Sequence, residues 1–289
     1  MSMAIEWHDL HTPDSSASLY LRALRTRTIR GKTLPATGLR CTLRVDRDHL
    51  AAYRALCRFP DDGHLPATYP HVMAFGLHLQ LMTAPAFPFP LLGMIHLGNR
   101  IEVLRPLGAL DSLRFAVHAE HLRPHAKGGT FDLVTEAEDG LGVIWRETSR
   151  MLVRGLRLDA PADDAVTAHE APSELRPLTR WYADSDIGRR YAKVSGDYNP
   201  IHLSDLSARL FGFPTAIAHG MYSLARTLAA VQDHLPTSGY GVDVAFHKPV
   251  RLPTEVILST SELQPPAGQL RLEGHNGPVH LEGRWFGLT

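Results

Sequence analysis

The residue types able to do chemistry are densest between Tyr191 and Met221, in YAKVSGDYNPIHLSDLSARLFGFPTAIAHGM. Asp197 and His202 stand five positions apart there. On a helix of 3.6 residues per turn they would diverge by about 140°. Pro200, however, drives Asn199 away from helical angles, and Gly196 with Asn199 favours turn geometry, so Ser195 to His202 is expected to be a loop. A carboxylate and an imidazole held by one tight loop can share a single water, the arrangement needed for general acid and base work near neutral pH. Ser195 is followed directly by Gly196 and Asp197, with no GxSxG around it, so its hydroxyl is expected to brace the turn rather than act as a nucleophile.

Other reactive types are scattered. Seventeen histidines raise the question of a metal. The closest cluster, His118, His121 and His125, has no cysteine or HExxH pattern beside it, so no metal centre is expected. GLGVIW, from Gly140, lacks the third glycine of a dinucleotide loop and reads as a hairpin turn. Arg180, Arg189, Arg190, Lys193 and Lys248 are candidates for meeting phosphates, with ordinary surface cations as the alternative.

These candidates need a scaffold. Ser204 reads as the N-cap of a short helix with Asp205 in its first turn, ended by Gly212 and Pro214. A long helix is then expected from Thr215 to Val231, because Ile217, Met221, Leu224, Leu228 and Val231 recur at the period of a buried helix face. Small residues Ala216, Ala218, Gly220, Ala225 and Ala229 occupy its other faces, so a sheet can approach from several sides and wrap it. Strand-like runs follow in SGYGVDVAFHKPV, EVILSTSEL, GQLRLEG and VHLEGRWFGL, divided by PPAGQ and HNGP. The first half repeats the theme, with a helix expected from His71 to Ala84 and strands in Met94 to Arg105, Leu113 to Ala119, Thr130 to Ala137 and Gly142 to Val153.

The repetition extends to individual residues. Pro70, Ala74, Gly76 and Leu77 recur as Pro214, Ala218, Gly220 and Met221, an offset of 144 (214 − 70), and Pro106 answers Pro249 at an offset of 143 (249 − 106). This marks a diverged internal duplication. Its halves are expected at 1–158 and 175–289, joined by a linker over 159–174 that mixes Asp, Ala and Pro without an apolar period. At the same offset Tyr53 and Arg58 stand where Asp197 and His202 would be, and Phe75 where His219 would be. Arginine keeps its proton near pH 7, so the first half is expected to be catalytically empty.

Composition narrows the function classes. Thirty Lys and Arg balance thirty Asp and Glu for a net charge of 0, which leaves no surplus to hold a polyanion, so nucleic acid is not expected as a partner. Hydrophobic residues at 44% and charged ones at 21% exclude wholesale disorder. Two cysteines, Cys41 and Cys57, make no disulfide framework and point to a reducing compartment. No basic-then-apolar leader opens the sequence and no run of about 18 apolar residues interrupts it, so a cytoplasmic protein without a membrane partner is expected.

Tyr191, two residues, Val194, Ser195, Gly196, Asp197, Tyr198, Asn199, Pro200, Ile201, His202, five residues, Ala208: this string resembles, without a gap, the signature of the MaoC-like (R)-specific enoyl-CoA hydratases and dehydratases. AIAHGM from Ala216 resembles the start of that family's central hot-dog helix, and KPVRLPTE from Lys248 the strand after it, with Pro253 and Thr254 where the family more often has Gly and Asp. The resemblance implies an α+β, tandem (double) hot-dog fold, two antiparallel sheets each wrapped around a central helix. It also implies Asp197 and His202 as the catalytic pair on one water, Asn199 as their support, and the Gly220 N–H as the donor to the thioester carbonyl. Ser195, His219 and Lys248 are further candidates for substrate contact, and Phe87 and Phe89, in AFPFPLL, for an acyl-binding wall built by the first half.

The implied reaction is hydration of trans-2-enoyl thioesters to (R)-3-hydroxyacyl thioesters, or the reverse. It places a hydroxide equivalent on C3 and a proton on C2, with enolate character building on the thioester oxygen, and calls for no cofactor beyond the CoA or acyl carrier protein that the substrate carries. A homodimer is a further expectation. Two alternatives stay open: a thioesterase on the same fold, and a non-catalytic acyl-binding subunit, which would be expected to lose Asp197 or His202.

Overall fold

A helix that is apolar on nearly every face needs a sheet that curls around it, and this chain has two such helices. The computed structural model describes residues 4–159, 174–263, 266–275 and 277–288. In chain order the first half runs β1 (Glu6–Leu10), α1 (Ser16–Ala23), β2 (Thr37–Arg44), α2 (Arg47–Cys57), α3 (Tyr69–Met82), β3 (Ile95–Val103), β4 (Ser112–His125), β5 (Gly128–Asp139) and β6 (Gly142–Arg154). The second runs β7 (Arg176–Ala183), α4 (Ile187–Ser195), α5 (Asp205–Arg209), α6 (Gly220–Val231), β8 (Tyr240–Phe246), β9 (Thr254–Thr260), β10 (Gly268–Gly274) and β11 (Val279–Gly287). Residues 160–173, most of the expected linker, lie outside the described residues.

The strands form one sheet in the order β1-β2-β4-β5-β6-β3-β8-β11-β10-β9-β7. Apart from β1, which joins β2 in parallel, every neighbouring pair is antiparallel. Read outward from the centre, β3-β6-β5-β4-β2 and β8-β11-β10-β9-β7 are the same connectivity twice. The two expected sheets therefore run on as one, joined at β3 and β8, so that each half covers the edge the other would leave open.

The seam also locates the symmetry. Arg100 pairs with Asp243 across it, and 100 plus the offset of 143 is 243, so a residue meets its own counterpart at this point and the pseudo-twofold passes through the pair. Their side chains lie 3.9 Å apart.

Inside the curl, α6 buries Met221, Leu224, Ala225, Thr227, Leu228 and Val231 together with Tyr222 and Ser223, so it is wrapped rather than laid on a surface. α3 is enclosed in the same way. The helix expected from Thr215 is corrected: α6 begins at Gly220. Residues 216–218 are drawn into extended pairing instead, with Ala218 N–H on the Val250 carbonyl at 2.9 Å, Leu252 N–H on the Ala216 carbonyl at 2.9 Å and a bridge between Ile217 and Arg251. Ile217 shares the helical period of Met221 and Leu224 but buries its side chain from this extended segment.

Candidate active site

The loop that carries the reactive residues is built from short-range bonds. α4 stops because Gly196 turns left-handed, at φ 74°, with its N–H on the Ala192 carbonyl. Asp197 N–H then donates to Ser195 Oγ at 3.2 Å, Asn199 N–H to Asp197 Oδ1 at 3.0 Å, and Ile201 N–H to Asn199 Oδ1 at 3.4 Å, which caps a single 3-10 turn over Pro200–His202. Ser195 thus braces the turn. The loop lies directly on α4: a Cβ on Gly188 would fall 2.0 Å from the His202 carbonyl oxygen. Ser204 caps α5 through Ser207 N–H, and Asp205 accepts from Ala216 N–H at 2.8 Å, which ties α5 to the extended segment leading into His219 and α6.

Asp197, His202 and His219 converge. His202 Nδ1 donates to the Ile217 carbonyl at 2.8 Å, so the neutral ring keeps its lone pair on Nε2. The His219 ring stacks on it at 3.6 Å between centroids and 25° between planes. His219 Nε2 donates to the Asp197 backbone carbonyl at 3.0 Å and lies 3.7 Å from its carboxylate. Asp197 Oδ1 accepts a second bond, at 2.7 Å, from the hydroxyl of Tyr20 on α1. Its side chain is 24% exposed, whereas both histidines are buried.

Burial and neighbours set the protonation states. Burial alone would raise the Asp197 carboxyl, but His219, His202, the Tyr20 hydroxyl and the Asn199 N–H outweigh it and hold the group below the usual carboxylate range. Burial lowers His202 against the pull of Asp197 and Ile217. Burial, reinforced by His202, takes His219 down to about 3. At neutral pH the cluster is therefore one carboxylate beside two neutral imidazoles.

One ligating atom from each of the three lies within 4.8 Å of the others. The two imidazoles, however, are stacked face to face rather than splayed around a common point, unlike the tetrahedral spread of ligands that zinc takes. The arrangement suits a water held by hydrogen bonds.

Gly220 opens α6, where its N–H has no acceptor within the helix. A Cβ there would meet the Phe246 ring at 3.2 Å, so the approach to that N–H is narrow. Phe246 lies 5.0 Å, ring to ring, from His96 on β3, whose Nε2 is buried without a partner. Asp197, Asn199, His202, His219, Gly220 and Ser195 are thus brought together as one loop and helix start. Lys248 is exposed two residues beyond Phe246. Phe87 and Phe89 are sealed in the first-half core, ring against ring with each other and with Phe131, and line no open groove. Tyr20, His96 and Phe246 are additions that motif spacing does not reveal, since nothing local marks them.

The first-half counterpart of this loop is also corrected. α2 ends at Cys57 with Arg58 left-handed at φ 64°, as α4 ends at Ser195 with Gly196 at 74°. This equates Arg58 with Gly196 and Tyr53 with Tyr191, an offset of 138 (191 − 53), and those two tyrosine rings face each other at 6.3 Å. Tyr53 and Arg58 are not the counterparts of Asp197 and His202. Residues 58–68 connect α2 to α3, against 196–219 between α4 and α6, so the first half has a shorter connection rather than a substituted one.

Comparison with known proteins places these features. The profile of the MaoC like domain matches residues 164–268. A 3-hydroxyacyl-thioester dehydratase X of Mycobacterium tuberculosis is 36% identical over 220 residues, 76% of this chain and 78% of that protein. The crystal structure of HtdX of Mycobacterium tuberculosis matches with a TM-score of 0.74 at 33% identity, over 86% of this chain and 100% of that one. A MaoC-like dehydratase from Phytophthora capsici shares the fold at a TM-score of 0.71 and 18% identity, over 91% of this chain and 98% of that one.

Proposed function

The chain belongs to the MaoC-like family, and on that premise we propose that it is a hydro-lyase that adds water to trans-2-enoyl thioesters to give (R)-3-hydroxyacyl thioesters, or removes it in reverse. The observation that carries this reading is the pairing of Asp197 and His202 on one loop, Asp197 with Oδ1 tied back and Oδ2 left to the site, His202 with its Nδ1–H tied back and Nε2 left to the site. The relative that is 36% identical bears the name of a 3-hydroxyacyl-thioester dehydratase, which supports the same substrate class.

In the proposed reaction a water donates one hydrogen to Asp197 Oδ2 and one to His202 Nε2, which aims its lone pair at C3 of the enoyl group. As the new C–O bond forms, one of the pair takes the proton and passes it to C2. Negative charge gathers meanwhile on the thioester oxygen. The Gly220 N–H receives it, with the positive end of the α6 dipole behind it. Asn199 keeps Asp197 in place through its backbone N–H. Lys248, exposed beyond Phe246, is proposed to meet the phosphates of the substrate's carrier group. No helix among the described residues is long and apolar enough to cross a membrane.

A panel of 2-enoyl-CoA substrates of increasing chain length tests this reading. Enone absorbance should fall and chiral analysis should return the (R)-3-hydroxyacyl product. Release of free thiol without loss of the enone would make the protein a thioesterase instead.

A further inference from the structure

We infer that Tyr20, on the first helix of the non-catalytic half, is a positioning residue that selects which oxygen of Asp197 works on the water. The inference rests on the reading of Asp197 as the carboxylate of the water-binding pair. Its ground is geometric. The Tyr20 hydroxyl lies 2.7 Å from Oδ1, and the Asn199 N–H reaches the same oxygen at 3.0 Å. With two donors on Oδ1, its capacity is taken up and Oδ2 is left to accept from water.

The helix is held for this task. Ser15 caps α1 by accepting from Ser18 N–H, Asp14 N–H donates to Gln80 Oε1 on α3, and Leu19 and Ala23 are buried beneath it. Ser16 Oγ and the Phe75 ring meet the position a Cβ would take on Gly196, at 3.4 and 3.6 Å, so α1 and α3 both press on the catalytic turn. The hydroxyl bond from a separate helix thus adds a second anchor to the carboxylate beside the Asn199 N–H of its own loop.

The other groups that face or bias Asp197 are His202 from the 3-10 turn, His219 before α6, Tyr191 on α4 and His96 on β3. None of these donates a hydrogen bond to its carboxylate as Tyr20 does, His219 Nε2 standing 3.7 Å away. Burial and the adjacent carboxylate raise the Tyr20 phenol far above its ordinary value, so it stays a donor throughout the working pH range.

Tyr20→Phe keeps the ring and removes the donor. Losing a donor to the carboxylate raises the Asp197 pKa, so the acid limb of the kcat/KM profile should move up by about one pH unit. Turnover should fall about 10-fold while KM changes less than about threefold. In an Asp197→Asn background the same change should alter turnover by less than about twofold, because there is no longer a carboxylate to position. Incorporation of 3-fluorotyrosine at position 20, a stronger donor of nearly the same shape, should move the acid limb the other way without a folding cost. An unmoved acid limb in both variants, or an equal loss in both backgrounds, would make Tyr20 a packing residue and overturn the inference. Near wild-type turnover in Asp197→Asn alone would overturn the underlying assignment of the site as well.

Discussion

The two halves share a connectivity and spend their interiors differently. In the second half Val242, Leu270 and Trp285 fill the core, and Gly283 lets the Val244 side chain close over its own position. Register places Asn99, Thr135, Ser149 and Glu147 at the corresponding points of the first half. These polar residues are all buried, and they are bonded: His71 Nδ1 to Glu147 at 2.8 Å, Asn99 Nδ2 to Glu147 at 2.7 Å and to Ser149 Oγ at 3.0 Å, and His78 Nε2 with Thr135 Oγ1 at 2.8 Å. The second half thus is apolar at these positions and carries a long polar loop outside them, whereas the first half has a short loop and a polar network within. Duplication freed each copy to change alone. The seam shows the same freedom, since a residue on the axis of a true homodimer would meet itself, and here Arg100 meets Asp243.

The sharpest way to break this comparison is to strike the loop. Asp197→Asn and His202→Ala should each lower turnover by about 100-fold to 10,000-fold without unfolding the protein, and the double variant should be little worse than the poorer single, since both act on one water. A single variant with near wild-type turnover would end the division of labour proposed for the halves.

Striking the first-half network should show the opposite signature, in stability. Glu147→Leu removes one partner of a buried pair and should cost about 3–5 kcal/mol in denaturant unfolding. Burial alone would raise the Glu147 carboxyl, but His71, through charge and hydrogen bond, with His78 and Asn99, brings it below its ordinary range. A depressed carboxyl stabilises the fold above its unfolded pKa, so this contribution should be intact at neutral pH and lost as pH falls below about 4 through the folded value. Acid unfolding of the Glu147→Leu variant that begins at the same pH as wild type, with the same loss of stability, would remove Glu147 from that account.

Phe87→Ala and Phe89→Ala sharpen the comparison by asking whether the sealed first-half core can serve the acyl chain. If a cavity opened there is reached by substrate, kcat/KM should shift among chain lengths by roughly 1 to 3 kcal/mol at most. An equal change for every chain length would confine both rings to packing. The smallest effect belongs to the seam: a double-mutant cycle on Arg100 and Asp243, partly exposed and 3.9 Å apart, should give below about 1 kcal/mol.

Much of the loop from Ser195 to Ala208 was legible because its causes are local. Gly196, Asn199, Pro200 and Ser204 each act on backbone within a few residues, and they surround Asp197 and His202 in one stretch. The wrapped helix was legible from its apolar period, but its start was not. Ala216, Ile217 and Ala218 suit a helix by composition and are pulled straight by pairing with residues 250–252, a competition that no local window contains. The offset of 144 misled at Tyr53 for a related reason: the connections before the central helices differ in length, so the offset is 138 at the left-handed ends of α2 and α4 and 151 (220 − 69) at the starts of α3 and α6.

The amino-acid sequence by itself determined the repeat, the strand and helix types and the tight loop that carries Asp197 and His202, since these rest on periodicity and turn chemistry within short reach. Tertiary structure alone decided that the Tyr20 hydroxyl bonds to Asp197 and that Glu147, read from the sequence only as part of a strand, is buried on His71 and Asn99. The physical reason is distance along the chain. Tyr20 and Asp197 are 177 residues apart, and His71 and Glu147 are 76 apart, so each contact exists only after the sheet has closed around its helices.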